Sequence, residues 1–255
     1  MARTGHPATR QVASVARAIS VLDALAEENA AIGTTDIARR TGINASTVSR
    51  LLATLVHGGF VEYATDTGRY RLGLRLLQLG NVVLEGLDLR DLARPHLEAI
   101  AAVTDETATL SVPGERAAVT VDFVQSPSSV QSVAHVGRPS VAHATATGKV
   151  MLAFGGGSLP DGPLGALTPR TITDRAKLAA EVERVRRRGW AQTLGEREPG
   201  LNAIAAPVWE SRGQLAAILG LQGPGPRFGT RAMRAALEPL LERAGSISAA
   251  LGADG

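Results

Sequence analysis

The feature that most restricts this chain is a three-residue turn. Gly42-Ile43-Asn44 separates a short helical stretch, residues 36–41, from a longer one, residues 45–57. Glycine ends a helix at little conformational cost, and asparagine begins one by accepting a hydrogen bond from a backbone amide of the first turn. Thr34 or Thr35 is placed to cap the first helix, where Ile37 and Ala38 face inward, and Gly58-Gly59 ends the second. Along the second helix Val48, Leu51, Leu52 and Leu55 point to a core. Ser46, Thr47, Ser49, Arg50 and Thr54 point away from it. Two helices joined by a tight glycine turn, the second with short polar residues outside, make the helix-turn-helix pattern. Short side chains let that helix sit deep in a major groove, and an arginine there reaches a phosphate or a guanine edge.

The flanking sequence extends the unit. Residues 14–28 read as an amphipathic helix, with Val15, Ala18, Ile19, Leu22 and Leu25 three or four apart. Residues 60–63 and 69–72 alternate as strands around a loop, 64–68, whose Asp66 and Gly68 are turn residues. A hairpin behind a helix-turn-helix is a wing. The expected DNA-facing set is Arg17, Thr35, Ser46, Thr47, Ser49 and Arg50, with Arg69 and Arg71 on the wing. Charge agrees with this. Of a formal net charge of +3, residues 1–75 supply all the excess, with nine arginines against six acids. A basic head on a neutral body suits a polyanion-binding module joined to one with another task.

Residues 73–85 form an apolar-periodic helix through Leu74, Leu76, Leu77, Leu79, Val82 and Val83. It carries too many apolar side chains for one packed face, so it reads as a linker helix that meets a partner copy. Dimerisation suits DNA half-sites about one helical turn (~34 Å) or a multiple apart. From Leu89 the pattern changes. Helices are expected over 92–103, 146–153, a stretch capped by Thr173 or Asp174 and ending at Arg188 before Gly189, and 230–251. Strands are expected over 107–112, 117–124, 130–136, 190–194, 202–209 and 215–222. That order indicates an α+β domain with a largely antiparallel sheet. The division expected is 1–73 for DNA binding, 74–88 as linker and 89–255 for effector binding and oligomerisation.

The absence of cysteine excludes disulfides, thiolate nucleophiles and cysteine-based zinc sites. The five histidines are scattered, so His135 and His143 read as structural or pocket-edge groups. No G-x-S-x-G elbow surrounds Ser126, Ser128, Ser129 or Ser132, and no Lys-Ser/Thr follows Gly155-Gly156-Gly157 at phosphate-loop spacing. No catalytic residue, metal or cofactor is expected. Lys149 reads as a helix-geometry or pocket-rim residue. Arg184 and Arg186 to Arg188 read as a solvated helix end, and Glu196 and Glu198 as an exposed lid on a Gly/Pro loop. No apolar run approaches the roughly 18–20 residues of a membrane helix, and residues 1–10 lack a signal-peptide core, so a soluble cytoplasmic protein is expected.

Several segments, in order, resemble the IclR family of bacterial transcriptional regulators. In the first third they are Arg17-Ala18-Ile19-Ser20-Val21-Leu22, Thr41-Gly42-Ile43, Ser46-Thr47-Val48-Ser49-Arg50-Leu51-Leu52 and Gly68-Arg69-Tyr70-Arg71-Leu72-Gly73. Further on they are Asp105-Glu106-Thr107, His143-Ala144-Thr145-Ala146-Thr147-Gly148-Lys149, Arg170-Thr171-Ile172-Thr173-Asp174 and Gly200-Leu201-Asn202-Ala203-Ile204-Ala205-Ala206-Pro207-Val208. The resemblance implies a winged helix-turn-helix and a GAF-like effector-binding domain. It implies homodimers, often paired into tetramers, bound to a double-stranded DNA operator and controlled by a small organic acid, aromatic acid or lactone. It also implies a pocket built from His143, Thr145, Ala146, Thr147 and Gly148, from Thr193, and from Asn202, Ala203, Gly220 and Gln222. Ala146, Ala203 and Gly220 stand where small-acid binders of the family are polar. A roomier pocket with few polar anchors follows, suited to a partly apolar effector such as an aromatic acid, lactone or natural-product-like molecule. The rival readings are a small lactone or ester hydrolase and a ligand-independent architectural DNA-binding protein.

Overall fold

The computed structural model describes residues 12–27, 30–85, 88–129 and 134–253. They belong to two compact units, Met1–Gly86 and Leu87–Gly255. Among the described residues no helix is long and apolar enough to cross a membrane.

The first unit contains α1 (Ala13–Ala26), α2 (Thr34–Thr41), α3 (Ala45–His57), the strands β1 (Val61–Ala64) and β2 (Arg69–Leu72), and α4 (Leu74–Glu85). Val21, Leu25, Ile32, Ile37, Val48, Leu52 and Val61 form its core. The turn between α2 and α3 is built as the sequence indicates. Gly42 takes the left-handed conformation, φ +68°, and the Asn44 side chain accepts from the Thr47 amide at 2.8 Å. Two expectations change. Gly33, rather than Thr34 or Thr35, caps α2, with no side-chain hydrogen bond. The buried face of α1 runs through Val21, Ala24 and Leu25, while Val15 and Ile19 are about half exposed, at 55% and 52%. Helix α1 therefore has two apolar stripes, and α2, α3 and the hairpin cover only one. Leu74, Leu77, Leu79 and Val82 of α4 are likewise exposed.

The second unit contains α5 (Asp88–Thr104), β3 (Thr107–Val112), β4 (Val119–Val124), α6 (Ala146–Phe154), α7 (Arg175–Arg188), β5 (Ala191–Leu194), β6 (Leu201–Trp209), β7 (Leu215–Pro224) and α8 (Thr230–Ala250). The five strands pair in the order β4-β3-β7-β6-β5, each antiparallel to its neighbour. Alternation along the strands gives the sheet two different faces. Leu110, Ile204, Val208, Leu219 and Leu221 are buried on the side where α5 and α8 pack. Ala191, Ala205 and Ile218 lie on the other side with Ala146, Val150, Leu178, Val182 and Val185 of α6 and α7. Helix α5 begins four residues before the expected position and contains Pro95, whose missing N–H forgoes one backbone bond. The strand expected over 130–136 is not formed at residues 134–136, which run through a turn, and residues 130–133 lie outside the described residues. Asp174 caps α7, accepting from the Lys177 amide at 2.7 Å, and Gly189 ends it at φ +80°.

Candidate functional site

The first candidate surface is the outer face of α3. The Asn44 carboxamide oxygen accepts from both the Thr47 amide and the Ser46 hydroxyl, at 2.8 and 2.9 Å, so the first turn is fixed from within. Thr41 steadies the preceding turn by donating to the Ile37 carbonyl at 2.8 Å and accepting from the Ile43 amide at 3.3 Å. Below that scaffold Val48 and Leu52 are fully buried. Above it Ser46, Ser49 and Arg50 are exposed and Thr47 is half buried. Among the described residues no side-chain partner engages Ser49 or Arg50. Arg17 and Thr35, on α1 and α2, are exposed as well.

On the hairpin the two arginines differ. Arg69 is exposed and donates to the Ala31 carbonyl at 3.3 Å. Arg71 pairs across the ladder with Glu62, its Nε 2.9 Å from the carboxylate, a partner that the spacing of the two strands in sequence does not suggest. The tip is tight: Gly68 sits at φ +67° and its amide donates to the Ala64 carbonyl at 2.8 Å. The Tyr63 and Tyr70 rings pack at a tilt of 45°, ring centres 5.0 Å apart.

The second candidate is a cleft in the other unit, about 720 Å³ including its open mouth. Strand register explains it. Thr107, Gln222, Ala203 and Thr193 lie in one row across the sheet, and Thr109, Gly220, Ala205 and Ala191 in the next. In these rows β3 and β5 supply the hydroxyls of Thr107, Thr109 and Thr193, while Ala203, Ala205 and Gly220 on β6 and β7 between them leave room. Thr109, Ser111, Thr120, Thr193, Ala203 and Gln222 form the floor. The start of α6, from Ala144 to Thr147, forms one wall, with the Thr145 side chain accepting from the Gly148 amide at 3.0 Å. The segment carrying Arg138 and the loop carrying Arg197 and Glu198 form the mouth.

Six expected pocket residues line this cleft: Thr145, Ala146, Thr147, Thr193, Ala203 and Gln222. Four do not. His143 is buried, with Nε2 hydrogen-bonded to the Gly165 carbonyl at 2.9 Å. Asn202 is buried and donates to the Phe228 carbonyl at 2.9 Å. Gly148 packs against Ala142, where a Cβ would come within 2.6 Å of Cα. Gly220 makes space for the Thr109 hydroxyl, 2.7 Å from where its Cβ would be. The expectation of few polar anchors is also corrected. Thr109, Ser111, Thr120, Arg138, Ser140 and Arg197 add polar groups to the lining from strands and loops whose place in the cleft depends on the fold.

Charged groups beneath the mouth are tightly engaged. Lys149, 1% exposed, donates to both carboxylate oxygens of Glu196 at 2.7 Å. Glu196 is therefore an internal partner and not an exposed lid. Burial raises its pKa above the usual carboxylate value, and Lys149 pulls in the opposite direction. The Thr168 and Thr171 hydroxyls hold the Gly195 and Glu196 carbonyls at 2.7 and 2.6 Å. Burial lowers the Arg197 pKa, and nearby Arg138 lowers it further. Of the arginines that end α7, Arg184 and Arg187 are exposed, as expected of a solvated helix end, while Arg186 and Arg188 are also bonded to the unit. Arg188 lies over the Trp190 ring at 4.3 Å and bonds to Glu181, and Arg186 donates to the Ala153 carbonyl. Among the described residues no group of three His, Cys, Asp or Glu is placed to hold a metal.

Known proteins share both halves of this arrangement. The IclR helix-turn-helix domain family model matches residues 14–65, and that of the bacterial transcriptional regulator IclR C-terminal domain matches residues 81–249. The chain is 30% identical over 250 residues to the HTH-type transcriptional regulator XynR of Escherichia coli, covering 94% of this chain and 98% of that one. An IclR transcriptional regulator from Alicyclobacillus acidocaldarius superposes with a TM-score of 0.78 at 29% identity, over 94% of this chain and 99% of that one. An IclR homologue from Microbacterium hydrocarbonoxydans, solved in complex with 4-hydroxybenzoate, superposes with a TM-score of 0.73 at 29% identity, over 93% and 98% of the two chains.

Proposed function

The chain belongs to the IclR family of bacterial transcriptional regulators, and we propose how its own residues carry out the ligand-responsive DNA binding of that family. Helix α3 enters the major groove of a double-stranded operator. Ser46, Thr47, Ser49 and Arg50 face bases and phosphates, and Arg17 and Thr35 touch the backbone beside them. Arg69 anchors the wing, and Arg71 joins it by leaving Glu62. The observation that carries this reading is the contrast on α3: its first turn is held by Asn44, while Ser49 and Arg50 are exposed without an internal partner. A regulator reads DNA with donors that folding has not consumed.

The protein acts as a homodimer, with dimers pairing into tetramers. The apolar stripe of α1 through Val15 and Ile19 and the exposed leucines of α4 support self-association, since such patches mark interaction surfaces. The effector occupies the cleft of the second unit and is an organic acid with an apolar body. Cationic Arg138 and Arg197 beside Ala144, Ala146, Leu201 and Ala203 support that class. A relative bound to 4-hydroxybenzoate is consistent with it. Occupancy biases two dimer arrangements with different recognition-helix spacing, a population shift.

The test is fluorescence anisotropy on the DNA upstream of the protein's own gene, at several salt concentrations, with unrelated DNA as competitor and then with 4-hydroxybenzoate, other aromatic acids and lactones. Sequence-preferring binding that an acid shifts is the expected result. Binding without sequence preference at any salt would refute the α3 assignment, and specific binding that no ligand shifts would refute the effector assignment.

A further inference from the structure

We infer that the ligand-free cleft carries a surrogate of its own ligand: the Glu198 carboxylate occupies the place on Arg138 and Arg197 that an effector carboxylate takes, so that effector entry exchanges one carboxylate for another. This rests on the effector reading of the cleft and names the end of the ligand that is anchored.

Two guanidinium groups converge on one oxygen. Arg138 Nη2 lies 3.1 Å from Glu198 Oε1, and Arg197 Nε lies 3.7 Å from the same atom. They arrive from different directions in the chain, since Arg138 is 60 residues from Glu198 and Arg197 is its neighbour. All three residues line the mouth of the cleft. Two cations share one anion there, which leaves the mouth electropositive. Burial and the proximity of Arg138 disfavour the charged form of Arg197, and the negative charge of Glu198 acts in the opposite direction. A planar carboxylate also matches the donor fork of a guanidinium.

Glu198 is built to leave. Its side chain is half exposed, and it meets each arginine through a single oxygen. Permanent pairs elsewhere in this unit are made differently. Glu106 is 2% exposed and takes both its oxygens to Arg227, at 2.8 and 2.7 Å, and Lys149 spans both oxygens of Glu196. The backbone beneath Glu198 does not depend on its carboxylate. The Gly195 amide donates to the Leu201 carbonyl at 2.8 Å, and the Leu201 amide donates to the Glu198 carbonyl at 3.2 Å. Lys149, Thr168 and Thr171 fix Gly195 and Glu196 from below. The Glu198 side chain can therefore swing away while the loop, and Arg197 with it, stays in place. The incoming acid then lies with its carboxylate on the arginines and its body over Ala203 and Thr193.

The test uses full-length protein with two isosteric probes, benzoate and neutral benzamide, titrated by calorimetry to millimolar concentration. Benzoate is expected to bind more tightly than benzamide. Glu198→Gln removes the competitor and should tighten benzoate about two- to fivefold, the scale of an exposed ion pair, without changing benzamide. Arg138→Met and Arg197→Met should each weaken benzoate about tenfold, with Arg138→Lys recovering part of the loss. Equal binding of the two probes, weaker or unchanged benzoate binding in Glu198→Gln, or no benzoate binding to that variant would overturn the exchange. A ligand that shifts DNA affinity regardless of Arg138 and Arg197 but is excluded by Thr193→Trp would overturn the exchange alone. One that ignores Thr193→Trp as well would overturn the effector reading of the cleft.

Discussion

The outer face of α3, proposed to meet DNA, and the cleft of the second unit, proposed to hold the effector, treat polar side chains in opposite ways. On α3 the scaffold is held by Asn44 and an apolar underside, and Ser49 and Arg50 remain uncommitted. Beneath the cleft, in contrast, buried polar groups are committed: Lys149 to Glu196, Thr168 and Thr171 to loop carbonyls, Asn202 to the Phe228 carbonyl. The difference follows from water. An exposed donor loses little by waiting for DNA, whereas a buried one left unpaired costs the full price of desolvation. Substitutions on the first surface should therefore change binding and spare stability, and those beneath the cleft should change stability first.

The largest expected effect is at Lys149. Lys149→Met leaves Glu196 in a largely buried position without its cation, and should destabilise the second unit by about 3–5 kcal/mol, read from urea unfolding of the full chain. Replacing both partners, as Lys149→Met with Glu196→Leu, should recover most of that loss. If the single variant is as stable as the parent, the cleft's polar groups are less interdependent than their geometry indicates.

Arg50→Ala should leave the unfolding midpoint unchanged and cost about 1–3 kcal/mol of specific DNA binding if Arg50 reads a base edge. If it holds a phosphate, the loss should be similar on all sequences, and the salt slope should fall by about one. Anisotropy on cognate and unrelated DNA separates the two outcomes. An unfolding midpoint that falls with affinity would break the contrast between the two regions.

Asn44→Ala sharpens the contrast from the other side, because Asn44 belongs to the scaffold of α3 and not to its reading face. It should cost about 1 kcal/mol of stability in the first unit, with DNA affinity following only through that loss. Asn44→Asp, which keeps the accepting oxygen, should restore stability.

The smallest effect is a pH dependence from His96 on α5. Its Nδ1 is buried without a hydrogen-bond partner, and burial first, then Arg243, holds its pKa below the usual 6.5. As pH falls below about 6.5 the unfolded chain takes up a proton that the folded chain refuses, so stability declines until the lowered folded value is passed. Thermal unfolding of the parent should show this slope on the acid side, and His96→Gln should flatten it. An equal slope in both proteins would assign the dependence to other groups.

Much of the fold was legible because it is written locally. Gly42 and Asn44 mark the turn into α3, Asp174 and Gly189 bound α7, and the antiparallel sheet follows from short strands separated by turns. Local patterns misled where they offered two solutions. Both stripes of α1 are apolar and share Leu25, and only packing selects Val21 and Ala24 over Val15 and Ile19. The residues near Thr145 and Thr193 were legible as pocket lining through their resemblance to a known family, while His143 and Asn202 were spent on the Gly165 and Phe228 carbonyls.

By itself the sequence determined the helix-turn-helix, the basic head and the α+β body, since helix caps, side-chain periodicity and charge act over a few residues. Tertiary structure alone decided the chemistry of the cleft. Lys149 meets Glu196 across 47 residues and Arg138 meets Glu198 across 60, and the Thr109 hydroxyl enters where Gly220 leaves room. Such partners share no local pattern. They are brought together by strand register and loop placement, and burial then requires that their polar groups be satisfied.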